Sequence, residues 1–338
     1  MELVTEPDFH TGEEVRAFSE ELQRILRYVG ASDANMEKGQ MRVEVNISLR
    51  PEGQEELGTK VEIKNINSFR FAADAVEYET KRQTEVLERG EKVKQETRGW
   101  NEFKQETFSQ RSKEEAHDYR YFPEPDLPPL ALSREFVEEL RAALPELPQA
   151  KRERLGREYG LEADIIEVLI REKELAGYFE AAATELKQHD AETPEKPKKD
   201  AVKTLASLMT GDFLRLLRET SASVSDVRIT PENFAELVLY FAEDKISNLA
   251  AKQVLEEMFR SGENPSDIID RLGLWQLSDA ADLEDIARHI VKENPKAAED
   301  YKKGKAASLQ FLIGQVMKES HGKANPKIVQ DILRRITN

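Results

Sequence analysis

The 338-residue sequence has no cysteine, no long hydrophobic run and no secretion signal. The absence of cysteine excludes disulfides and thiolate metal ligands, so no zinc site is expected, and it fits a reducing cytoplasmic location. No stretch approaches the eighteen or so apolar residues of a membrane span. The first residues show neither the charged nor the apolar segment of a signal peptide. The sequence therefore predicts a soluble, cytoplasmic protein with no membrane contact.

Several well-known site motifs are missing too. The chain contains no GxxxxGK[ST] phosphate loop and no GxGxxG dinucleotide fingerprint. Its five histidines include no HExxH pair, and no serine lies in a GxSxG elbow. Any nucleotide or metal chemistry must therefore use a different kind of site.

Negative charge dominates the chain, but not evenly. The net charge is −16, from 66 acidic and 50 basic side chains. Residues 296–338 carry nine Lys or Arg and four Asp or Glu, a local +5, which leaves −21 for the rest. This pattern predicts a local contact with RNA phosphates through Lys303, Lys305, Lys323 and Lys327, rather than a nucleic-acid-binding surface over the whole protein. The alternative is a small helical cap with solvated lysines.

Hydrophobic periodicity predicts an α+β protein of two or three domains. A helix is expected from Thr11 to Gly30, because Glu14 completes a capping box and the glycine suits the helix end. The stretch "MRVEVNISL" (41–49) alternates as a strand, and "TKVEIKNINSF" (59–69) follows it as a second strand.

A second long helix is expected from a Ser68 cap to Gly90, and the rigid "EPDLPP" (124–129) then ends the region that contains strands. Beyond it the pattern is helical throughout, with a charged linker at 189–200. The predicted domains are a mixed sheet-and-helix domain at 1–130, an all-α region at 131–270 and a small all-α tail at 271–338.

The polar face of the two strands is the best candidate for a binding site. Arg42, Glu44, Asn46 and Ser48 lie on one face of the first strand, and Glu62 and Lys64 follow on the second. The second strand ends in "KNINS", where Lys64, Asn65, Asn67 and Ser68 precede a helix N-terminus that can hold phosphate. The alternative is an ordinary solvated sheet face followed by a polar turn and a helix cap.

Acidic side chains at the start of the chain are candidate magnesium ligands. Leu3 and Val4 are expected to belong to an apolar strand, with Glu2, Glu6 and Asp8 around it. Together with Glu44 they offer hard oxygen donors of the kind that Mg²⁺ binds alongside substrate phosphates. Each of them alone is as readily explained as a surface acid.

Six motifs, in order, resemble one family: "ELVTEPD", "MRVEVNISLRP", "GTKVEIKNINSF", "QETRGW", "DYRYFPEPDLPPL" and "GQVMKESHGKANP". They are similar to the B subunit of the aspartyl/glutamyl-tRNA amidotransferase, from residue 2 to the end of the chain. The resemblance implies a cradle domain with an ATP and Mg²⁺ site (its C-terminal part at 1–130), then a helical domain and a tRNA-binding tail domain.

The resemblance also implies the chemistry and the partners. A glutaminase subunit and a small third subunit would accompany this one, and the substrate would be misacylated Glu-tRNA(Gln) or Asp-tRNA(Asn). Its side-chain carboxylate would be phosphorylated with ATP and then amidated. The implied site residues are Glu2, Glu6 and Glu44 as catalytic acids, Glu2 and Glu6 as Mg²⁺ ligands, and Arg42, Asn46, Ser48, Glu62, Lys64, Asn65, Asn67 and Ser68 around ATP or substrate.

The sequence departs from the family pattern in two respects. The family carries a "GLEVH"-type segment before this first strand, so an incomplete cradle is expected here. Many members read "LRCDAN" where this chain has "MRVEVN". These departures leave an alternative function open, which is a truncated, non-catalytic module that binds tRNA or partner subunits.

Overall fold

The computed structural model describes residues 1–112, 123, 125–192, 197, 199–276, 280–320 and 322–337. The chain divides into two compact units, residues 1–150 (unit 1) and 151–338 (unit 2). The α+β class is confirmed, because a mixed sheet near the N-terminus precedes a helical remainder. Residues 118–122 and 124 of the fifth motif, residues 193–196 and 198 of the predicted linker, and His321 lie outside the described residues. The domain boundaries at 130 and 270 stay predictions.

Unit 1 combines helices with a sheet. Its elements are α1 (Gly12–Tyr28), β1 (Val43–Ile47), β2 (Val61–Ile66), α2 (Phe69–Glu88), β3 (Glu96–Asn101), β4 (Glu106–Ser112) and α3 (Arg134–Ala143). Both long helices were predicted, and their ends follow from local chemistry. The Thr11 hydroxyl accepts from the Glu14 N–H in a full capping box, and Ser68 caps α2. Gly30 and Gly90 follow these helices with φ of 69° and 74°, the left-handed conformation that glycine adopts without a steric penalty.

The four strands of the described part form one mixed sheet in the order β1-β2-β3-β4. β1 and β2 are antiparallel, β2 and β3 are parallel, and β3 and β4 are antiparallel. The parallel pair is joined through α2, because parallel neighbours need a crossover connection. The first and second strands were predicted, whereas β3 and β4 were not.

A bulge near the end of β2 explains why its alternation fails. Val45 pairs with Ile63, but Val43 pairs with Ile66, so β2 has one residue more than β1 between these pairs. Asn65 lies in this interval with φ 60°, a left-handed conformation that asparagine tolerates better than most residues. The extra residue lets Ile63 and Ile66 both face the core although they are three positions apart.

Helix α2 covers one face of the sheet. Ala72, Ala75 and Val76 of this helix are buried against Val45, Ile63 and Trp100 in the core of unit 1. Helix α1 packs closely on α2 at Gly12, where a Cβ would lie 2.5 Å from the Ala73 carbonyl oxygen. The small residues therefore set how near the two helices come.

The start of the chain differs from the prediction. Residues 1–10 belong to no strand, and Leu3 and Val4 are exposed. The strand prediction was wrong there, because no neighbouring strand in the described structure offers backbone partners to these residues. Phe9 connects this segment to α1, with its ring centroid 5.0 Å from that of Phe18, and the His10 N–H donates to the Glu14 carboxylate at 2.6 Å.

Unit 2 is built from helices. They are α4 (Pro148–Tyr159), which begins just before the boundary, α5 (Ala163–Leu169), α6 (Lys173–Glu192), α7 (Ala201–Leu208), α8 (Leu214–Thr220), α9 (Pro231–Ala242), α10 (Asn248–Ser261), α11 (Pro265–Leu272), α12 (Ala280–Glu293), α13 (Pro295–Lys302), α14 (Ala306–Glu319) and α15 (Pro326–Thr337). A π-helical segment, Met209–Phe213, joins α7 to α8. No helix in the described part of the chain is long and apolar enough to cross a membrane.

Two apolar cores lie within unit 2. The larger one centres on side chains such as Phe179, Phe213 and Phe234 and draws on the helices from α4 to α11. The smaller one joins α12, α14 and α15 through residues that include Leu312 and Leu333. Each core buries the apolar stripe of several amphipathic helices, which supplies most of their stability.

Candidate functional site

The face of the sheet opposite α2 carries the predicted polar side chains. Glu44 and Asn46 of β1 are exposed, while Val45 between them is buried. On β2, Glu62 and Lys64 are half-buried and alternate with the buried Val61 and Ile63. The predicted alternation is therefore confirmed, and we refer to this surface as the open face.

A clamped lysine is the central feature of the open face. Lys64 Nζ lies 2.9 Å from both carboxylate oxygens of Glu44 and 3.5 Å from Glu62 Oε1. The hydrogen bond to Glu44, aided by the charges of both carboxylates, raises the pKa of the Lys64 ammonium above its usual range. The lysine is thus a fixed positive charge at neutral pH.

A further residue, which was not predicted, holds this arrangement from β3. Thr97 is almost fully buried, and its hydroxyl donates to Glu62 Oε2 at 2.8 Å. Thr97 is also the register partner of Glu62 across the parallel pair. The "ETRGW" stretch alternates weakly, and this was the one signal that could have placed Thr97 on the open face.

The other predicted residues lie around this centre. Asn46 pairs in register with Glu62, Arg42 is exposed just before β1, and Ser48 is half-buried just after it. Asn65 and Asn67 are exposed at the end of β2. Ser68 uses its hydroxyl to cap α2, accepting from the Phe71 N–H at 3.1 Å. The structure thus shows a helix-capping role for Ser68. Ligand binding by the residues around this centre stays a prediction.

The predicted magnesium ligands do not form a complete set. Glu2 and Glu6 are exposed in the segment before α1, and Glu44 is paired with Lys64. Among the described residues, no group of three or more His, Asp or Glu side chains is placed to hold a metal ion. Magnesium binding by Glu2 and Glu6 beside substrate phosphates needs only one or two carboxylates, and it stays a prediction.

A glycine at the centre of the open face leaves room for an aromatic ring. Gly99 of β3 pairs with Lys64 on one side and with Phe108 of β4 on the other. A Cβ on Gly99 would lie 2.6 Å from both Phe108 Cζ and Gln110 Nε2. The Phe108 ring therefore lies over Gly99 and borders the open face next to the clamped lysine.

The opposite face of the sheet hides a charged network that was not predicted. Glu79 of α2 is fully buried. Its carboxylate accepts from Arg82 at 2.8 and 2.9 Å, from Gln83 at 3.1 Å and from the Thr107 hydroxyl at 2.5 Å. Arg98 Nε completes the set at 3.0 Å.

Arg98 extends this network across β3 and β4. Its guanidinium donates to the Glu96 carboxylate at 2.6 Å and to the hydroxyl and carbonyl oxygens of Thr107 at 2.7 and 2.9 Å. Ser109 donates to the second Glu96 oxygen at 2.5 Å. We call Glu79, Arg82, Gln83, Glu96, Arg98, Thr107 and Ser109 the α2 network, because it fixes α2 onto β3 and β4.

The α2 network makes unit 1 sensitive to acid. Burial alone would raise the pKa of Glu79, but hydrogen bonds from Arg82, Thr107 and Gln83 outweigh it, and the pKa lies below the usual glutamate value. The pKa of Glu96 is lowered as well, because the bonds from Ser109 and Arg98 outweigh the effect of burial. Both carboxylates therefore bind fewer protons in the folded state than in the unfolded state.

Unit 1 is accordingly expected to hold its full stability above about pH 4.5, the ordinary glutamate value, and to lose it as the pH falls through the lowered values. Urea unfolding at pH 7, 5, 4 and 3, followed by Trp100 fluorescence in a Trp275→Phe background, measures this dependence. Glu79→Gln removes one of the two titrating groups, so its pH dependence should be shallower. An equal pH dependence in both proteins would contradict the assignment.

The basic residues predicted to contact RNA do not form one free patch. Lys303 pairs with Glu299 at 2.7 Å, and Lys305 pairs with Asp300 at 3.0 Å. Lys323 is half-buried, and its Nζ lies 3.4 Å from where a Gly273 Cβ would be, beside the C-terminal end of α11. Lys327 is exposed at the start of α15. The surface has basic side chains, but nearby carboxylates pair with two of the four.

Two family models match separate parts of the chain. A family model described as the GatB/GatE catalytic domain matches residues 1–138, which include the open face. A second, described as the GatB domain, matches residues 193–336.

Curated relatives match nearly the whole chain. A Carboxydothermus hydrogenoformans protein is 46% identical over 334 residues, covering 99% of this chain and 67% of the relative. A Herpetosiphon aurantiacus protein is 46% identical over 336 residues, with 99% and 67% covered, and a Dehalococcoides mccartyi protein is 43% identical over 337 residues, with 99% and 68% covered. All three are aspartyl/glutamyl-tRNA(Asn/Gln) amidotransferase B subunits.

Proposed function

The chain belongs to the family of aspartyl/glutamyl-tRNA(Asn/Gln) amidotransferase B subunits, and on this premise we propose that its open face serves the ATP-dependent activation of a misacylated tRNA. The substrate is Glu-tRNA(Gln) or Asp-tRNA(Asn), and the partners are a glutaminase subunit and a small third subunit. The observation that carries the proposal is the clamped Lys64, a fixed cation on a polar sheet face within the region matched by the catalytic-domain model.

The proposed reaction has two steps. A side-chain carboxylate oxygen of the tRNA-bound amino acid attacks the γ-phosphorus of ATP, the bond to the bridging oxygen breaks, and ADP leaves. Ammonia from the glutaminase partner then attacks the acyl phosphate carbon, loses a proton and expels inorganic phosphate, which leaves the amide. Neither step requires a covalent bond to this chain.

Catalysis then depends on position and charge. Negative charge builds up on the oxygens around the transferred phosphoryl group. A nearby ammonium therefore stabilises the transition state more than the ground state. Lys64 is suited to this role because Glu62 and Glu44 fix its position. To bind a phosphate, the Lys64 ammonium would give up its contacts with the exposed Glu44 carboxylate and form contacts with the phosphate oxygens. Mg²⁺ is proposed to arrive with ATP, whose charge it would offset, because the described residues do not form a site of their own.

The test is an amidation assay on the assembled complex. This chain is combined with its glutaminase partner, the small third subunit, glutamine and ATP, and offered Glu-tRNA(Gln) or Asp-tRNA(Asn). Formation of Gln-tRNA or Asn-tRNA that requires ATP is expected. The Carboxydothermus relative in the same assay is the positive control. If only that control forms product while this chain still binds tRNA, the alternative function of a non-catalytic tRNA-binding module is correct.

We further propose that the tail contacts tRNA through Lys303, Lys305 and Lys327. Two observations support this contact: the tail carries a local positive charge on an otherwise acidic chain, and all three lysines are exposed. Lys323 is the least suited of the predicted four, because it lies against the end of α11. A cation near a helix C-terminus is more readily explained by the helix dipole.

Replacing Lys303, Lys305 and Lys327 by glutamate is expected to weaken tRNA binding at every salt concentration. Each lost phosphate contact should also make the slope of log K against log salt shallower by roughly 1. Filter binding at several salt concentrations measures both effects. Lys38→Glu, an exposed charge reversal in unit 1, is the matched control. Equal slopes for the triple variant and the unaltered chain would show that these lysines do not contact phosphates.

A further inference from the structure

An aromatic ring and an amide lie side by side on the open face, two strands away from the clamped lysine. Phe108 and Gln110 belong to β4 and stand two positions apart, which is the spacing of side chains on one face of a strand. A Cβ on Gly99 would lie 2.6 Å from an atom of each of them, so both side chains lie above this glycine. Gly99 in turn pairs in register with Lys64. The open face therefore continues from a charged part on β1 and β2 to an aromatic and amide part on β4.

Packing accounts for only part of the Phe108 ring. The ring lies on the backbone of Gly99, its cross-strand partner, and an aromatic neighbour of this kind shields a glycine in a sheet. Phe108 nevertheless stays 42% exposed. Of the large hydrophobic side chains exposed in the described part of the chain, it is the one that lies within a strand. A rigid sheet thus holds a flat aromatic surface toward solvent.

The Gln110 amide offers hydrogen bonds that its neighbours do not use. Its side chain is exposed, and it makes no hydrogen bond to any residue that the structure describes. A glutamine amide carries one acceptor oxygen and two donor hydrogens, which match the N6 amine and the N7 acceptor of adenine. Guanine presents two acceptors at the same edge, so it pairs with only the donor half of the amide.

The spacing of the strands suits a nucleoside triphosphate. Lys64 and Phe108 lie on strands separated by β3, and neighbouring strands are about 4.8 Å apart, so the two backbones lie roughly 10 Å apart. The Lys64 ammonium extends in the direction away from Phe108, toward Glu44 on β1. An extended ATP molecule spans a distance of this order between its base and its terminal phosphate. A base above Phe108 would therefore leave the triphosphate directed toward the clamped lysine.

We propose that Phe108 and Gln110 form the base-binding end of the open face, where the ring stacks on the adenine of ATP and the amide pairs with its N6 and N7 edge. The inference rests on the proposed function, because it takes ATP as the phosphate donor beside Lys64. Stacking supplies affinity for any base, since every base has a π-face, and the amide supplies the preference for adenine over guanine. Both residues bind and orient the nucleotide, and neither takes part in a bond that forms or breaks.

The experiment is steady-state amidation by the assembled complex with ATP or GTP as the phosphate donor. Phe108→Leu keeps an apolar cover over Gly99 but removes the π-face, so the KM for ATP should rise by roughly tenfold while kcat changes little. Gln110→Leu should lower the preference for ATP over GTP, measured as the ratio of the two kcat/KM values, by roughly tenfold. Phe103→Leu changes a ring that is 90% exposed in the β3–β4 turn, and this matched control should keep the KM for ATP.

A second variant at position 108 separates recognition from packing. Phe108→Tyr keeps the aromatic ring and should keep the KM for ATP, whereas a role in covering Gly99 alone predicts the same KM for tyrosine and leucine. Thermal unfolding of all four variants should give Tm values close to that of the unaltered chain. A KM for ATP and an ATP-to-GTP preference that stay within about twofold of the unaltered protein in Phe108→Leu and Gln110→Leu would overturn the proposal.

The 3′-terminal adenosine of tRNA carries the same base, and the same kinetics distinguish it from ATP. If Phe108→Leu raises the KM for tRNA and leaves that for ATP unchanged, the ring binds the tRNA end and the proposal is overturned.

Binding of ATP with Mg²⁺ to the full chain, followed by titration calorimetry, requires no amidation and keeps this inference separate from the proposed function. If the complex forms no amide, a roughly tenfold weaker binding of ATP by Phe108→Leu still supports the base site. Amidation that requires ATP but is unaffected by either leucine substitution would overturn the base site and leave the proposed function intact. A lack of ATP binding and of amidation would overturn both.

Discussion

Glu79→Ala is expected to destabilise unit 1 by about 3–5 kcal/mol, because it leaves Arg82 and Arg98 without their shared carboxylate in a buried setting. A domain is typically stable by about 5–15 kcal/mol, so this loss removes a large part of the total. The effect should exceed that of losing one hydrogen bond, since the alanine takes away the carboxylate that several buried donors share, although Arg98 keeps its contact with Glu96.

Urea unfolding followed by Trp100 fluorescence in the Trp275→Phe background measures this loss. Trp100 lies in the core of unit 1, so it reports on the part that the α2 network holds. Glu85→Ala on the exposed side of α2 is the matched control, with an expected change within about 0.5 kcal/mol.

A combined variant separates unpaired charge from lost packing. Glu79→Leu together with Arg82→Met, Arg98→Met and Glu96→Gln removes the charges of the α2 network at once, and should recover much of the stability lost in Glu79→Ala. If Glu79→Ala is no less stable than Glu85→Ala, the buried network does not hold α2 in place.

Lys64→Met is expected to reduce amidation by the assembled complex by roughly 10²–10³-fold, the usual effect of removing one preorganised stabilising group. If Lys64 meets the transferred phosphoryl group, kcat should fall more than the KM for ATP rises. Lys64→Arg keeps the charge but changes its geometry, so an intermediate activity is expected.

Controls for this prediction are available in the same strand region. Lys60→Met removes an exposed lysine just before β2 and should leave amidation unchanged within about twofold. Thermal unfolding of each variant shows whether the open face is intact, because Lys64→Met leaves Glu44 and Glu62 close together without their cation. Full activity in a correctly folded Lys64→Met protein would exclude the proposed role of Lys64.

Predictions from sequence were most accurate where the controlling interactions are local. The capping box at Thr11, the Ser68 cap and the glycines after both helices follow from residues within a few positions of each other. The alternation of β1 and β2 also follows from local pattern, because side chains in a strand point to opposite faces in turn. These features gave the polar face and its residues Glu44, Glu62 and Lys64.

Contacts between distant segments were not predicted. The strands β3 and β4 are mostly polar, and their stability comes from pairing rather than from an apolar pattern. The prediction of a strand at Leu3 and Val4 failed because a strand also depends on contacts with another segment of the chain. An apolar stretch needs a neighbouring strand before it can become one, and the local sequence does not provide it.

The sequence by itself determined the family, the α+β class and the polar face of the first two strands, because motifs, helix caps and period-two alternation lie in consecutive residues. Only the tertiary structure decided that Thr97 supports Glu62 and that Glu79 lies buried between Arg82 and Arg98. Each of these depends on which elements come together in space, and burial and charge pairing across a sheet are properties of that assembly rather than of any one stretch of chain.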